Sequence, residues 1–147
     1  MDGFRRLVGS LDERQWAAVG RNHPARLNDE DEGRPVGVIA HHVAANGDFI
    51  IERIRSTVEG RPLQAVDFKE MNARHAAERA GATAREVLDL LSESKPRLAA
   101  LVRAMTDDQL DLAMETPRGP LTVAERIERV LIGHLESHQG SIEAAVS

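Results

Sequence analysis

The sequence contains no cysteine among its 147 residues. This absence excludes disulfide bonds, thiolate metal ligands and cysteine nucleophiles together. A bound metal would therefore be held by nitrogen and oxygen ligands, and any thiol chemistry would use a thiol supplied by another molecule.

Aromatic and basic residues are also scarce. There are three Phe, one Trp and no Tyr, which is too few rings for a surface that stacks on bases. Nineteen Lys and Arg residues stand against 24 Asp and Glu residues, for a formal net charge of -5. Nucleic-acid binding normally needs a basic surface that displaces counterions, so we expect no nucleic-acid partner.

Long hydrophobic runs are missing as well. Apolar stretches extend over only a few residues, whereas a helix that spans a bilayer needs about 18 or more. No apolar segment typical of a secretory signal follows Met1. We therefore expect a cytoplasmic protein without a membrane partner, folded as one domain over residues 1–147.

The sequence does carry helical periodicity throughout, and the alternation typical of strands is hard to find. Capping boxes, in which Ser or Thr precedes Glu or Gln by three residues, indicate helix starts at Ser10, Thr83, Thr106 and Thr122. Helices are predicted over 4–19 with a break near 9–10, 35–58, 67–105 with a weak point at Gly81, and 123–145. Pro35 is expected at the first helical position of the second, and Pro96 should kink the third. This pattern predicts an all-α, up-down four-helix bundle.

Two of the six histidines lie on the last predicted helix, within a stripe of apolar residues. His134 and His138 are four residues apart, so both should point into the bundle with their rings side by side. Two imidazoles in this arrangement can share a metal ion. Alternatively, both are core residues that bond to carbonyl groups, although burying two imidazoles without a metal or partner is unfavourable.

A third ligand is available on the second predicted helix, where His41 and His42 are adjacent. They lie on opposite flanks of the apolar stripe, so helical phase leaves both open. Three neutral imidazoles would leave open positions on a divalent ion, and such an ion lowers the pKa of a bound water or thiol. Zn, Ni, Cu and Fe all suit this ligand set.

The other polar candidates are expected to be structural or solvated. We expect His75 to be a solvated helix residue and His23 to lie in a surface loop. Asp48 and Glu52 are expected on a charged solvent face, with a role as carboxylate ligand or as acceptor for an imidazole N–H as the alternative. Trp16 is expected to anchor the core.

Two motifs resemble those of the DinB-like superfamily, the DinB/YfiT-like metal-dependent enzymes. Residues Val36–Ala44 resemble its second-helix motif, and His134–Ile142 resemble its last-helix motif, His-x-x-x-His followed by Gly and an apolar residue. Leu11–Trp16 resembles the Trp-bearing end of the first helix. Phe68–Ala73 resembles the Asn-containing start of the third helix in the mycothiol-dependent maleylpyruvate isomerase branch. The resemblance extends over most of the chain.

The resemblance implies a four-helix bundle in which His42, His134 and His138 bind a divalent metal, Zn or Ni. His42 is preferred to His41 because it occupies the ligand position of the motif. The implied activity is that of a metal-dependent thiol S-transferase or isomerase. It would act on a small-molecule substrate with a low-molecular-weight thiol such as mycothiol, bacillithiol or glutathione. The family also implies a homodimer.

Three positions depart from the family pattern, namely Ser137, Gln139 and Ser141, where a further His, an Arg and a Gln are common. They bear on substrate and thiol binding rather than on the metal ligands. Two other functions therefore stay open. One is a non-enzymatic metal-binding or stress-associated bundle, and the other is a helical interaction module in which the histidines fill the core.

Overall fold

Helices make up most of the computed structural model, which describes residues 1–21, 33–116 and 119–147. The elements are α1 (Asp2–Ser10), α2 (Glu13–Ala17), α3 (Val36–Val58), α4 (Phe68–Glu78), α5 (Ala84–Arg103), α6 (Asp107–Leu110), β1 (Ala113–Met114), β2 (Leu121–Thr122), α7 (Val123–Arg126), a π-helix (Ile127–Ile132) and α8 (Gly133–Val146). Helices α1, α3 and α5 and the continuous segment from α7 to α8 form the predicted four-helix bundle.

Capping side chains determine where several helices begin. The predicted boxes at Thr83, Thr106 and Thr122 are confirmed, since each side chain accepts a hydrogen bond from the backbone three residues on. The box predicted at Ser10 is wrong. Ser10 ends α1 and donates its hydroxyl to the Leu7 carbonyl, 2.8 Å away. The chain then becomes extended, which makes Asp12 the N-cap of α2.

The longest helix, α3, has the predicted extent to within one residue. Pro35 is the N-cap of α3 rather than its first helical residue, because its backbone is still extended. The helix therefore begins one residue later than predicted. Gly60, with a φ of +67°, takes the left-handed conformation just beyond the end of α3. The predicted segment 67–105 divides into α4 and α5 on either side of Gly81, and α5 continues through Pro96.

Helix α3 lies at the centre of the bundle and packs chiefly against α5 and α8. Its first half belongs to one buried apolar cluster, together with residues of α1, α5 and α8: Phe4, Val8, Val36, Ile39, Ala40, Val43, Ala44, Val87, Leu91 and Ile142. Its second half belongs to another cluster: Ile50, Ile54, Met114 and Val123. His42, in the first half of α3, and Asn46, between the two clusters, contact His134 of α8.

Trp16 packs against the first cluster, as predicted. Its indole Nε1 donates to the Ala82 carbonyl at 2.8 Å, which links α2 to the connection between α4 and α5. Gly37 makes this position possible. A Cβ at Gly37 would lie 2.6 Å from Cε2 and 3.1 Å from Cδ1 of the indole, so the ring rests directly on the backbone of α3.

Two features of the C-terminal third were not predicted. A two-stranded antiparallel ribbon pairs Ala113 with Thr122 and Met114 with Leu121. The last helical segment changes to a π-helix over Ile127–Ile132, immediately before the first histidine of α8. Such π-helical turns are rare in proteins, and many of those that occur lie near functional sites. Among the described residues, no helix is long and apolar enough to cross a membrane.

Candidate metal centre

Three imidazoles meet where α3 crosses α8. The Nε2 atom of His134 lies 2.9 Å from Nε2 of His138 and 3.4 Å from Nε2 of His42. One nitrogen from each ring falls in a group whose members are all within 4.8 Å of one another. His42 and His138 are buried, with 8% and 2% of their surface exposed, whereas His134 is half-buried. The structure thus brings together the three residues that the family resemblance named.

The spacing of the nitrogens fits a divalent metal ion. Bonds of about 2.0–2.1 Å from zinc to imidazole nitrogens, at angles of about 90° to 110°, place those nitrogens roughly 2.9–3.4 Å apart. The two Nε2 separations that involve His134 match this range. A chain without cysteine must bind a metal through nitrogen or oxygen ligands, and three imidazoles meet that condition.

Hydrogen bonding among the rings does not account for the cluster as well as a cation does. An imidazole nitrogen carries either one hydrogen or one lone pair, so it forms a good hydrogen bond with one partner at a time. The Nε2 atom of His134 faces two other Nε2 atoms. One cation between the three rings would accept all three lone pairs at once.

The surroundings of His42 keep its imidazole in the neutral form that binds a metal. Burial lowers the pKa of His42 to about 2, and the neighbouring His134 and His138 and the Arg34 guanidinium act in the same direction. His42 is therefore neutral at physiological pH. A metal-binding imidazole must be neutral, so no proton has to be displaced from this ring before it binds a metal.

The adjacent His41 points to a different partner. Its Nδ1 atom lies 2.9 Å from Nε2 of His75, and the two rings are tilted with their centroids 5.0 Å apart. His41 is buried but does not belong to the three-nitrogen group. The structure therefore places His42, and not His41, beside the pair on α8.

The prediction that His75 is solvated is wrong. His75 is half-buried, with its ring centroid 5.5 Å from that of His42, and burial with the nearby His41 lowers its pKa to about 4. A sequence signal existed for this position. Phe68, Met71 and His75 follow helical spacing along α4, so His75 continues the inward stripe of that helix.

The acidic candidates lie on the surface, as predicted. Asp48 forms an ion pair with Arg97, and Glu52 lies 3.0 Å from Arg61. Neither carboxylate belongs to the nitrogen group, and among the described residues no fourth His, Asp or Glu joins it. His23, predicted to lie in a surface loop, falls outside the described residues.

The three positions that depart from the family pattern contact other residues of α8 or of α1. Ser141 is buried and donates its hydroxyl to the Ser137 carbonyl at 3.2 Å. Gln139 donates to Glu143 at 2.8 Å, and its amide is near Gly3 of α1. Ser137 thus takes part through its backbone carbonyl, and the side chains of Gln139 and Ser141 make contacts within α8 or toward α1.

Comparison with known protein families gives independent information about this chain. The sequence model of the DinB superfamily matches residues 2–142. The chain belongs to the DinB superfamily. None of the curated proteins compared with this DinB-superfamily chain matches it.

Solved structures show the same fold at low sequence identity. YfiT from Bacillus subtilis, described as a probable metal-dependent hydrolase with an unusual four-helix bundle topology, is 22% identical with a TM-score of 0.75. The match covers 98% of this chain and 78% of YfiT.

The mycothiol-dependent maleylpyruvate isomerase is 14% identical to this chain, with a TM-score of 0.70. The match covers 99% of this chain and 60% of the isomerase. A mutant of a mycothiol-dependent maleylpyruvate isomerase is also 14% identical, with a TM-score of 0.67, and its match covers 99% of this chain and 60% of the mutant. This chain therefore spans less than two thirds of the isomerase.

Proposed function

We propose that this protein is a metal-dependent enzyme whose divalent ion, Zn or Ni, is bound by His42, His134 and His138. The observation that carries the proposal is the convergence of one nitrogen from each of three imidazoles, with Nε2 of His134 at 2.9 Å and 3.4 Å from the Nε2 atoms of His138 and His42. When bound, the ion would lower the pKa of a low-molecular-weight thiol or a water and so supply a nucleophile at neutral pH.

The residues around the cluster suit chemistry better than a purely structural role. Structural zinc sites are usually closed by four protein ligands, often thiolates. Here three ligands converge, and the described part of the chain offers no fourth. His134 is more exposed than the other two histidines, so a small molecule would approach from its side.

The two described relatives support the class of reaction. One is a probable metal-dependent hydrolase and the other uses mycothiol, so both water and a thiol are reasonable nucleophiles. Because this chain has no cysteine, the thiol would come from a small molecule such as mycothiol or bacillithiol. We propose a thiol S-transferase or isomerase acting on a small-molecule substrate, and a cytoplasmic homodimer of one domain over residues 1–147.

A non-enzymatic metal-binding bundle is the second candidate. The contacts at Ser137, Gln139 and Ser141 favour it, because the Gln139 side chain donates to Glu143 and the Ser141 hydroxyl to the Ser137 carbonyl, and neither bond reaches the three imidazoles. This candidate predicts the same metal content as the enzyme. It also predicts no turnover of thiol adducts or hydrolysable esters by the metal-loaded protein.

Metal analysis of the purified, untagged protein tests the site directly. Samples stripped with a chelator and reloaded with Zn or Ni should hold about one ion per chain, and the variants His42→Ala and His138→Ala should hold far less. His41→Ala is the matched control, because it removes the neighbouring imidazole on the same helix and should retain the ion. Absence of uptake by the native protein would leave only the helical interaction module.

A further inference from the structure

Asn46 links the two helices that supply the three histidines. It lies on α3 one turn after His42, and its side-chain nitrogen Nδ2 is 3.4 Å from Nδ1 of His134 on α8. The side chain is half-buried. Asn46 therefore contacts the ring nitrogen that points away from the other two imidazoles.

Whether Nδ1 of His134 carries a hydrogen depends on whether Nε2 of the same ring binds a metal. A neutral imidazole carries one hydrogen, and if Nε2 gives its lone pair to a metal, the hydrogen must be on Nδ1. The Nδ1–H group then needs an acceptor. The amide nitrogen that faces Nδ1 is a donor, so this orientation matches the other tautomer, in which Nε2 carries the hydrogen.

The geometry points to Asn46 as a positioning residue that sets the tautomer of His134 by rotating its side-chain amide when a metal binds. Without metal, Nδ2–H donates to the lone pair of Nδ1. With metal, a rotation of about 180° brings Oδ1 to this position, where it accepts from Nδ1–H. The inference rests on the proposed metal site and adds a residue that touches neither metal nor substrate.

Asparagine is suited to this position because its amide has both a donor and an acceptor. Aspartate at this position would be an acceptor only and would favour the metal-binding tautomer. Leucine has a similar size and would favour neither tautomer. Since Asn46 is four residues after His42, one face of α3 supplies both a metal ligand and the support for a second ligand.

Zinc affinity measured by competition with a chromophoric chelator tests the inference. Asn46→Leu should weaken zinc binding about 10- to 100-fold, the usual effect of removing a hydrogen-bond partner of a ligand histidine. Asn46→Asp should bind zinc at least as tightly as the native protein. Ala45→Asp is the matched control, because it adds the same charge one residue away, about 100° around the helix. Its affinity should stay near the native value.

Two results would overturn the role of Asn46. One is native affinity in Asn46→Leu, and the other is equal weakening in the Leu and Asp variants, which would indicate a packing effect only. Nitrogen-15 spectra of zinc-loaded protein add an independent readout, since His134 should carry its hydrogen on Nδ1 in the native and Asp proteins. If the native protein takes up no zinc, the proposed function fails together with this inference. If it does and the Leu variant matches it, the role of Asn46 alone fails.

Discussion

Acidification should destabilise the metal-free protein through His42. In the folded state, burial and the surrounding imidazoles lower the pKa of His42 from 6.5 to about 2. In the unfolded chain the ring is in water and titrates near its ordinary value. Between these two pKa values the His42 ring is protonated in the unfolded chain and neutral in the folded protein.

The sign and size of the effect follow from this difference in bound protons. Because the unfolded state binds more protons, the free energy of unfolding falls as pH falls below about 6.5, and it is insensitive to His42 above that value. One proton of difference corresponds to about 1.4 kcal/mol of stability for each pH unit. Lowering the pH from 6.5 to 4.5 should therefore remove about 2–3 kcal/mol through His42 alone. His41 and His75, whose pKa values are also lowered by burial, act in the same direction.

Urea unfolding of chelator-treated protein between pH 8 and pH 4.5 measures this dependence. The matched variant is His42→Leu, which removes the buried titratable ring and retains the other five histidines. Its free energy of unfolding should fall less steeply as the pH is lowered. The difference between the two slopes should correspond to about one bound proton per molecule. Equal slopes in the native and variant proteins below pH 6.5 would refute the claim that His42 is buried in a neutral form.

Two further predictions concern packing and metal binding. Gly37→Ala should lower the free energy of unfolding by about 1 kcal/mol or more, since overpacking against the indole of Trp16 exceeds the gain in helix propensity. Urea titration checks this. Gly9→Ala should show no loss, because its new Cβ would meet no other part of the described chain within 4 Å beyond its own helix. Zinc at about a hundred times its Kd should raise the thermal midpoint of the native protein by roughly 5–10 °C, and should not raise that of His138→Ala. A scanning fluorimetry shift of equal size in both proteins would contradict the assigned ligands.

Local rules of the sequence were sufficient to locate most of the helices. Thr83 and Thr106 precede Glu or Gln at the capping distance, and this information lies within four residues of sequence. Ser10 satisfies the same rule but ends a helix instead, because the choice between Ser10 and Asp12 depends on where α1 stops. The short ribbon at Met114 and Leu121 depends on pairing between residues seven apart, so residue propensity alone does not reveal it.

The candidate site divides in the same way between local and long-range information. The four-residue spacing of His134 and His138 is a local property of one helix, and it was readable from the sequence. The choice between His41 and His42 depends on how α3 is rotated relative to α8. Periodicity could not determine this rotation, and the family motif was needed to prefer His42. The contact between His75 and His41 was missed because it requires α4 to pack beside α3.

The π-helix before His134 leads to a final prediction about how the site is aligned. A π-turn holds one residue more than the α-turn it replaces, so deleting the exposed Ile132 should restore a regular α-helix and leave α8 in place. Zinc uptake should therefore survive this deletion. Deleting Glu136, another exposed residue of the same segment, shortens the spacing of the two ligands to three residues. It turns His138 by about 100° relative to His134, so uptake should be lost. If the folded Ile132 deletion variant binds no zinc, the π-helix does more than accommodate one extra residue.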